Sequence, residues 1–193
     1  ADGSFDLLPI GHPGPARRVP VGVPPHDLVV RADGRWVAAI NSTNSIVRFA
    51  HLDSARVERR WELPPGETVQ MLGWNSEGDL VHAASEMQIF IGGFDRHPIQ
   101  AKRLVKEDHG IFGVAFSPDS AWVLSTGYNG RSRIWDWSSE TALSEYAGAG
   151  TAIQWSPDGR WIAWKDEFQW ELIRFEPPTG WSVIPEVPPE IAS

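Results

Sequence analysis

Ser156 and Asp158 stand two residues apart in WSPDGRWIAW, residues 155–164. A hydroxyl and a carboxylate this close together, among aromatic side chains, could belong to a hydrolytic active site. The phrase recurs, however, as VRADGRWVAA from Val30, WNSEGDLVHA from Trp74 and FSPDSAWVLS from Phe116. Four copies indicate an architectural repeat, so we expect neither residue to be catalytic.

The other residues that could do chemistry form no catalytic or metal-binding pattern. The six histidines include no His-x-His or His-Glu-x-x-His pair, and the chain has no cysteine. There is no Gly-x-Ser-x-Gly elbow and no phosphate-binding loop. Asp166 and Glu167 fall at a predicted hairpin tip, and His82 falls inside a predicted strand, where we expect a hydrogen-bonded polar residue. The sequence therefore predicts no metal, no cofactor and no enzymatic activity.

The composition limits the partners that the protein could have. A net charge of −8 repels phosphate backbones, which argues against nucleic acid. No apolar run approaches the roughly 18 residues of a membrane helix. The absence of cysteine weakly favours a reducing compartment, so we expect a cytoplasmic location. The 11 tryptophans, 18 glycines and 16 prolines favour many short, face-packed strands.

An acidic turn residue marks each copy of the repeat: Asp33, Glu77, Asp119 and Asp158 follow one another at intervals of 44, 42 and 39 residues. Apolar residues occupy matching positions on both sides of this turn, which is typical of hairpins with both faces covered. Glycine follows the acid in the first, second and fourth copies, whereas Ser120 occupies this position in the third copy. A period of this length, with turns and no helical pattern, predicts propeller blades of four strands each.

We therefore predict an all-β fold, a β-propeller of four-stranded antiparallel blades, of which about four and a half are visible. A partial blade at 1–25 precedes blades at 26–66, 67–107, 108–148 and 149–193. An open ring leaves an apolar sheet face in water. We thus expect the rest of a larger ring, or a second chain, to complete it.

The third blade resembles a WD repeat over residues 108–137, DHGIFGVAFSPDSAWVLSTGYNGRSRIWDW. The resemblance implies a structural hydrogen-bond set made by His109, Ser125, Asn129 and Trp135. Asn129 stands where the family has Asp, and an amide lacks the charge that fixes the imidazole, so the set should be weaker here. The turn phrase is also similar to that of prolyl-oligopeptidase-like and Tol-type propellers.

The WD-repeat resemblance implies a non-catalytic scaffold or sensor module that binds other proteins, or the remainder of its own propeller. The alternative is a gating or substrate-selecting domain of a larger, peptidase-like hydrolase, and a third hypothesis is the sensor end of a bacterial signalling ATPase or kinase. Five residues lie off the shared columns or on predicted outer strands and are candidate partner anchors: Trp61, Trp170, Trp181, Arg59 and Arg60.

Overall fold

The computed structural model describes residues 3–8, 14–22, 24–41, 45–85, 87–96, 101–104, 110–128, 130–147, 152–165 and 170–176. These residues form 17 strands in five antiparallel sheets. Within each sheet the strands pair in chain order, so each strand lies beside the strand that precedes it in the sequence. Short turns that follow strands of four to seven residues produce this pattern.

The first sheet pairs β1 (Ser4–Leu7) with β2 (Arg17–Pro20). The second contains β3 (Asp27–Val30), β4 (Trp36–Ile40), β5 (Ile46–His51) and β6 (Arg56–Glu62). The third contains β7 (Val69–Trp74), β8 (Leu80–Ser85), β9 (Ile89–Gly93) and β10 (Ala101–Leu104). The fourth contains β11 (Ile111–Phe116), β12 (Trp122–Gly127), β13 (Arg131–Asp136) and β14 (Thr141–Ala147). The fifth contains β15 (Ala152–Trp155), β16 (Trp161–Lys165) and β17 (Trp170–Arg174).

The first strand of each sheet is the innermost one. Strand β3 contacts β7, β7 contacts β11, and β11 contacts β15, so these four strands lie side by side. The later strands of each sheet then extend outward from this inner row. This is the arrangement of blades around the axis of a β-propeller. The inner strands are therefore the strands that lie nearest to that axis.

Four hydrophobic clusters hold consecutive sheets together face to face, and each cluster takes side chains from two neighbouring sheets. Strands β4, β8 and β12 are buried almost throughout, because both of their faces are covered. The continuous apolar run WVAAI of β4 follows from this double burial, since a strand covered on both faces has no solvent side to mark with polar residues.

The repeated turns adopt one backbone conformation. Gly34, Gly78 and Gly159 have φ angles of 68°, 73° and 69°. Ser120, which departs from the glycine pattern, takes the same left-handed conformation with a φ of 59°. The serine therefore preserves the turn at the cost of a conformation that residues with a Cβ rarely adopt.

Hydrogen bonds connect the turns of neighbouring sheets on the same rim. The Asn75 side-chain amide donates to the Ser120 hydroxyl at 3.0 Å, and the Ser76 hydroxyl donates to the Pro118 carbonyl at 2.7 Å. In the same turn, the Trp137 indole donates to the Ser120 carbonyl at 2.7 Å. On this rim, side-chain hydrogen bonds thus link the third sheet to the fourth.

The five sheets show the all-β architecture and the four-stranded antiparallel units expected from the repeat. The predicted fourth strand of the last blade, residues 180–185, lies outside the described residues. The limits proposed for the individual blades stay predictions.

Candidate functional site

A groove with a volume of about 530 Å³ lies beside the inner strands β7, β11 and β15. Apolar side chains such as Val114, Phe116 and Ile153 form much of its wall, and Ser76 and Ser117 lie at the turns that border it. No charged side chain lines it among the described residues. A concave, mainly apolar surface with a few polar groups is the usual form of a binding site.

His82 breaks the repeat at this groove. The equivalent positions of the other sheets, which pair with the inner strand in the same register, are Ala38, Leu124 and Ala163. His82 pairs with Gly73, which is also exceptional in its column. A buried polar residue in a packing column is the kind of departure that is expected at a functional or a strained site.

Gly73 makes room for the imidazole. A Cβ placed on Gly73 would overlap the His82 ring and would lie 2.9 Å from its Nε2 atom. On the other side, the Phe116 ring packs against the imidazole with a centroid separation of 5.5 Å. The His82 side chain therefore packs against both the backbone of its own sheet and an aromatic ring of the next sheet.

The His82 imidazole is neutral at physiological pH. Only 4% of the residue is exposed, and this burial lowers its pKa from 6.5 to about 4. Its Nδ1 atom has no hydrogen-bond partner within the described structure. The expectation of a hydrogen-bonded histidine was wrong at this atom, because the surrounding sheet faces are apolar. A neutral imidazole offers one donor and one acceptor, and here at least one of them is unused.

Trp155 supplies a second unused polar group. It is 6% exposed, and its indole nitrogen has no partner among the described residues. At the equivalent position two sheets earlier, the Trp74 indole donates to the Val29 carbonyl of the preceding inner strand at 3.2 Å. The Trp155 side chain thus lines the groove with a buried indole N–H that makes no hydrogen bond within the described structure, whereas the equivalent indole of Trp74 is hydrogen-bonded.

This arrangement is suited to binding. An imidazole with a pKa of about 4 is a weak base, and no carboxylate lines the groove in the described residues to form an acid–base pair with it. The same part of the chain has no group of three His, Asp or Glu side chains that could hold a metal ion. The groove therefore fits an uncharged, largely apolar ligand with hydrogen-bonding groups.

Of the four residues in the hydrogen-bond set implied by the WD-repeat resemblance, the structure describes Ser125 and Trp135. The Trp135 indole donates to the Ser125 hydroxyl at 2.9 Å, with both residues buried. His109 and Asn129 lie outside the described residues, so the complete set stays a prediction. Beside Trp135, the Asp136 carboxylate accepts hydrogen bonds from Ser138, and these lower its pKa.

Comparisons with known proteins agree with the observed sheets. Residues 102–136 match the family model described as "WD domain, G-beta repeat". Among solved structures, Kuenenia stuttgartiensis hydrazine synthase aligns with a TM-score of 0.74 and 14% sequence identity, over 90% of this chain and 65% of that chain. The chain is a β-propeller, and one segment of it is similar to a WD repeat. It spans about two thirds of the length of this structural neighbour.

The propeller has no significant match among curated protein sequences. Its described residues contain no helix long and apolar enough to cross a membrane.

The predicted tryptophan anchors have different environments in the propeller. Trp170 is exposed, as expected. The expectation was wrong for Trp61, which is 1% exposed inside the cluster between the second and third sheets. Strand β6 turns alternate residues toward the third sheet, and Trp61 lies on that face opposite Val47. Trp181 lies outside the described residues.

The two predicted arginine anchors differ in the same way. The guanidinium of Arg59 stacks 4.3 Å from the centroid of the Phe94 ring, and it donates to the Phe94 carbonyl at 2.7 Å. These contacts are intramolecular, and the role of Arg59 as a partner anchor stays a prediction. Arg60 is exposed and lies beside Arg48 on the neighbouring strand. Burial first, and then the charge of Arg60, lower the pKa of Arg48.

The sequence interpretation missed the groove. A signal was present, because aligning the repeats on their acidic turn residues places His82 in a column with two alanines and a leucine. Trp155 gave no comparable signal, since aromatic residues fill its column in three of four repeats.

Proposed function

We propose that this propeller is a non-catalytic, cytoplasmic protein-interaction module whose groove binds an uncharged, largely apolar segment of a partner protein. The observation that carries the proposal is the pair of unpartnered, buried polar groups, His82 Nδ1 and Trp155 Nε1, in the wall of one groove. Leaving a buried polar group unpaired costs about 1–3 kcal/mol. Because both atoms are buried in the described structure, a ligand recovers part of that cost where its binding moves the two side chains enough to expose them.

The residues that line the groove indicate the chemistry of the ligand. Apolar surface favours aliphatic or proline-rich side chains, and the indole N–H requires an acceptor such as a peptide carbonyl. Because the described wall has no charge, an ionised side chain would lose its hydration without gaining a counter-ion. Within the described wall of the groove, the one imidazole has a pKa lowered to about 4, which supports binding without base catalysis.

A displayed library of ten-residue peptides tests the proposal. The library is selected on the intact chain and then compared on two variants, His82→Leu and Trp155→Phe. Each substitution introduces the residue that the third repeat carries at the equivalent position, Leu124 or Phe116, so the packing column is respected. We expect enriched peptides to be uncharged and mainly apolar, and each variant to weaken binding roughly 2- to 10-fold, the effect of one lost hydrogen bond.

Arg160→Ala provides the matched control, because Arg160 is exposed on a turn and its side chain pairs with Asp158. The control variant should bind the selected peptides like the unaltered protein. Peptides that bind both groove variants with unchanged affinity, or a selection dominated by charged peptides, would refute the groove as the binding site.

A further inference from the structure

Three sheets place charged residues opposite each other on their last two described strands. In the first sheet Asp6 lies opposite Arg18, and the Arg18 Nε atom is 3.1 Å from the Asp6 carboxylate. In the fourth sheet Arg133 lies opposite Glu145, and its Nε atom donates to that carboxylate at 2.8 Å. Both facing pairs combine opposite charges, as expected for neighbouring strands, because like charges directly opposite each other destabilise a sheet.

The second sheet departs from this rule. Arg48 of β5 lies opposite Arg60 of β6, so two guanidinium groups share one side of the sheet. Arg48 occupies the same register position as Arg133, because both lie opposite the residue that comes six positions after the acidic turn residue of their repeat. Arg60 therefore occupies the position that Glu145 occupies in the fourth sheet.

The environment of this arginine pair leaves Arg60 open to a further partner. Arg60 is exposed and forms no hydrogen bond or ion pair within the described structure. Arg48 is half-buried and donates to the Ile46 carbonyl at 3.3 Å. Burial first, and then the charge of Arg60, lower the pKa of Arg48, so the two charges are close enough to repel each other. Glu62, on the same strand as Arg60, forms no ion pair among the described residues. Arg60 therefore lies beside a like charge with no carboxylate bound to it in the described structure.

We propose that Arg48 and Arg60 form a binding site for a carboxylate side chain of a partner protein, which supplies the negative charge that Glu145 supplies to Arg133. The fourth sheet specifies this occupant, because there the repeat itself places a carboxylate beside the equivalent arginine. A planar guanidinium matches a carboxylate with two parallel N–H donors, and a second positive charge strengthens the attraction. The site is separate from the groove, because it lies on the last two strands of the second sheet, whereas inner strands line the groove.

Titration of the full chain with the peptide decaglutamate tests the site. The protein is 15N-labelled, and the Nε–Hε resonances of Arg48 and Arg60 are assigned with Arg48→Gln and Arg60→Gln. Because the chain has a net charge of −8, long-range repulsion disfavours this peptide except where positive charges cluster. We expect both resonances to shift together at low ionic strength, and each variant to weaken binding roughly 5- to 10-fold, between the effects of an exposed and a partly buried ion pair.

Arg35→Gln is the matched control, because Arg35 is exposed on a turn of the same sheet and its loss changes the net charge equally. This variant should bind decaglutamate like the unaltered chain. The groove variants His82→Leu and Trp155→Phe should do the same, so this proposal and the proposed function can fail separately. Equal weakening by Arg35→Gln, or unshifted resonances of Arg48 and Arg60, overturns the site. Resonances that shift with inorganic phosphate but not with decaglutamate overturn the carboxylate as its ligand.

Arg60→Glu gives a second test that needs no ligand. This change places a carboxylate opposite Arg48 and so recreates the facing pair of the fourth sheet. We expect its urea unfolding midpoint to exceed that of Arg60→Gln, by a difference that added salt reduces, and we expect decaglutamate binding to be lost. A midpoint equal to or below that of Arg60→Gln would mean that the two side chains do not interact, and it would refute the shared site.

Discussion

The junction between the second and third sheets and the junction between the third and fourth sheets use the same positions differently. In the first, Val29 pairs with Ala38, and a cluster of Trp36, Phe94 and Trp74 fills the interface. In the second, Gly73 pairs with His82 at the equivalent place. Both junctions contain a hydrophobic cluster, but only the second one places a buried histidine beside a groove at this position.

Arginines reinforce the first junction. The guanidinium groups of Arg31 and Arg59 lie 5.0 Å and 4.3 Å from the centroid of the Phe94 ring. Stacked guanidinium groups add favourable cation–π energy to the hydrophobic contacts. The two junctions share the same backbone geometry but differ in their side chains. A repeated backbone can therefore carry a different interface at each junction.

The largest expected effect is the loss of the aromatic cluster. Phe94→Ala removes a ring that is 1% exposed and contacts two tryptophans and Phe49, so we expect a loss of about 3–5 kcal/mol in the free energy of unfolding. Urea denaturation measures it. Leu8→Ala, at a side chain that is 71% exposed, is the control and should remain within about 0.5 kcal/mol. A cost for Phe94→Ala near that of the control would remove the contrast between the junctions.

The second effect concerns pH and isolates the groove junction. Burial lowers the pKa of His82 to about 4 in the folded chain, from an ordinary value of 6.5. The unfolded chain therefore binds more protons than the folded chain between these values, and stability falls as pH decreases from 6.5 to 4. We expect this residue to account for a loss of up to about 3 kcal/mol.

Unfolding free energies of the unaltered protein and of His82→Leu, measured from pH 7 to pH 4, separate this contribution from that of the carboxylates. The variant should lose less stability on acidification. Parallel pH profiles for the two proteins would show that the imidazole is not buried in the neutral form.

The smallest effect tests the space that Gly73 leaves for the imidazole. Gly73→Ala forces the His82 ring to move, and we expect a cost of about 1–3 kcal/mol. In a His82→Ala background the same change should cost much less, because the ring is gone. A double-mutant cycle by urea denaturation gives the coupling, and additive costs would contradict the proposed contact.

The sequence predicted the fold well because its information is local. The acidic turn residues and their flanking columns specify hairpins such as β3–β4 and β15–β16, and four similar hairpins imply similar sheets. Ser120 was an apparent exception in sequence, yet its backbone conformation matches that of the glycines.

The environments of individual side chains were harder to predict, because they depend on neighbouring sheets. Trp61 is buried by residues of the third sheet, such as Val69, and its own strand gives no sign of that cover. The burial of His82 likewise depends on Phe116, which belongs to another repeat. Position in a repeat therefore predicts the strand, whereas the function of a side chain requires the assembled interface.

The left-handed serine in the third repeat has a further consequence. Ser120 accepts hydrogen bonds from Asn75 of the preceding repeat and from Trp137 of its own. Glycine, which suits the backbone better, would provide no hydroxyl for Asn75. The turns of the third and fourth sheets are therefore matched to each other by a side-chain hydrogen bond that a glycine at position 120 could not make, so these two repeats are alike in shape but not interchangeable.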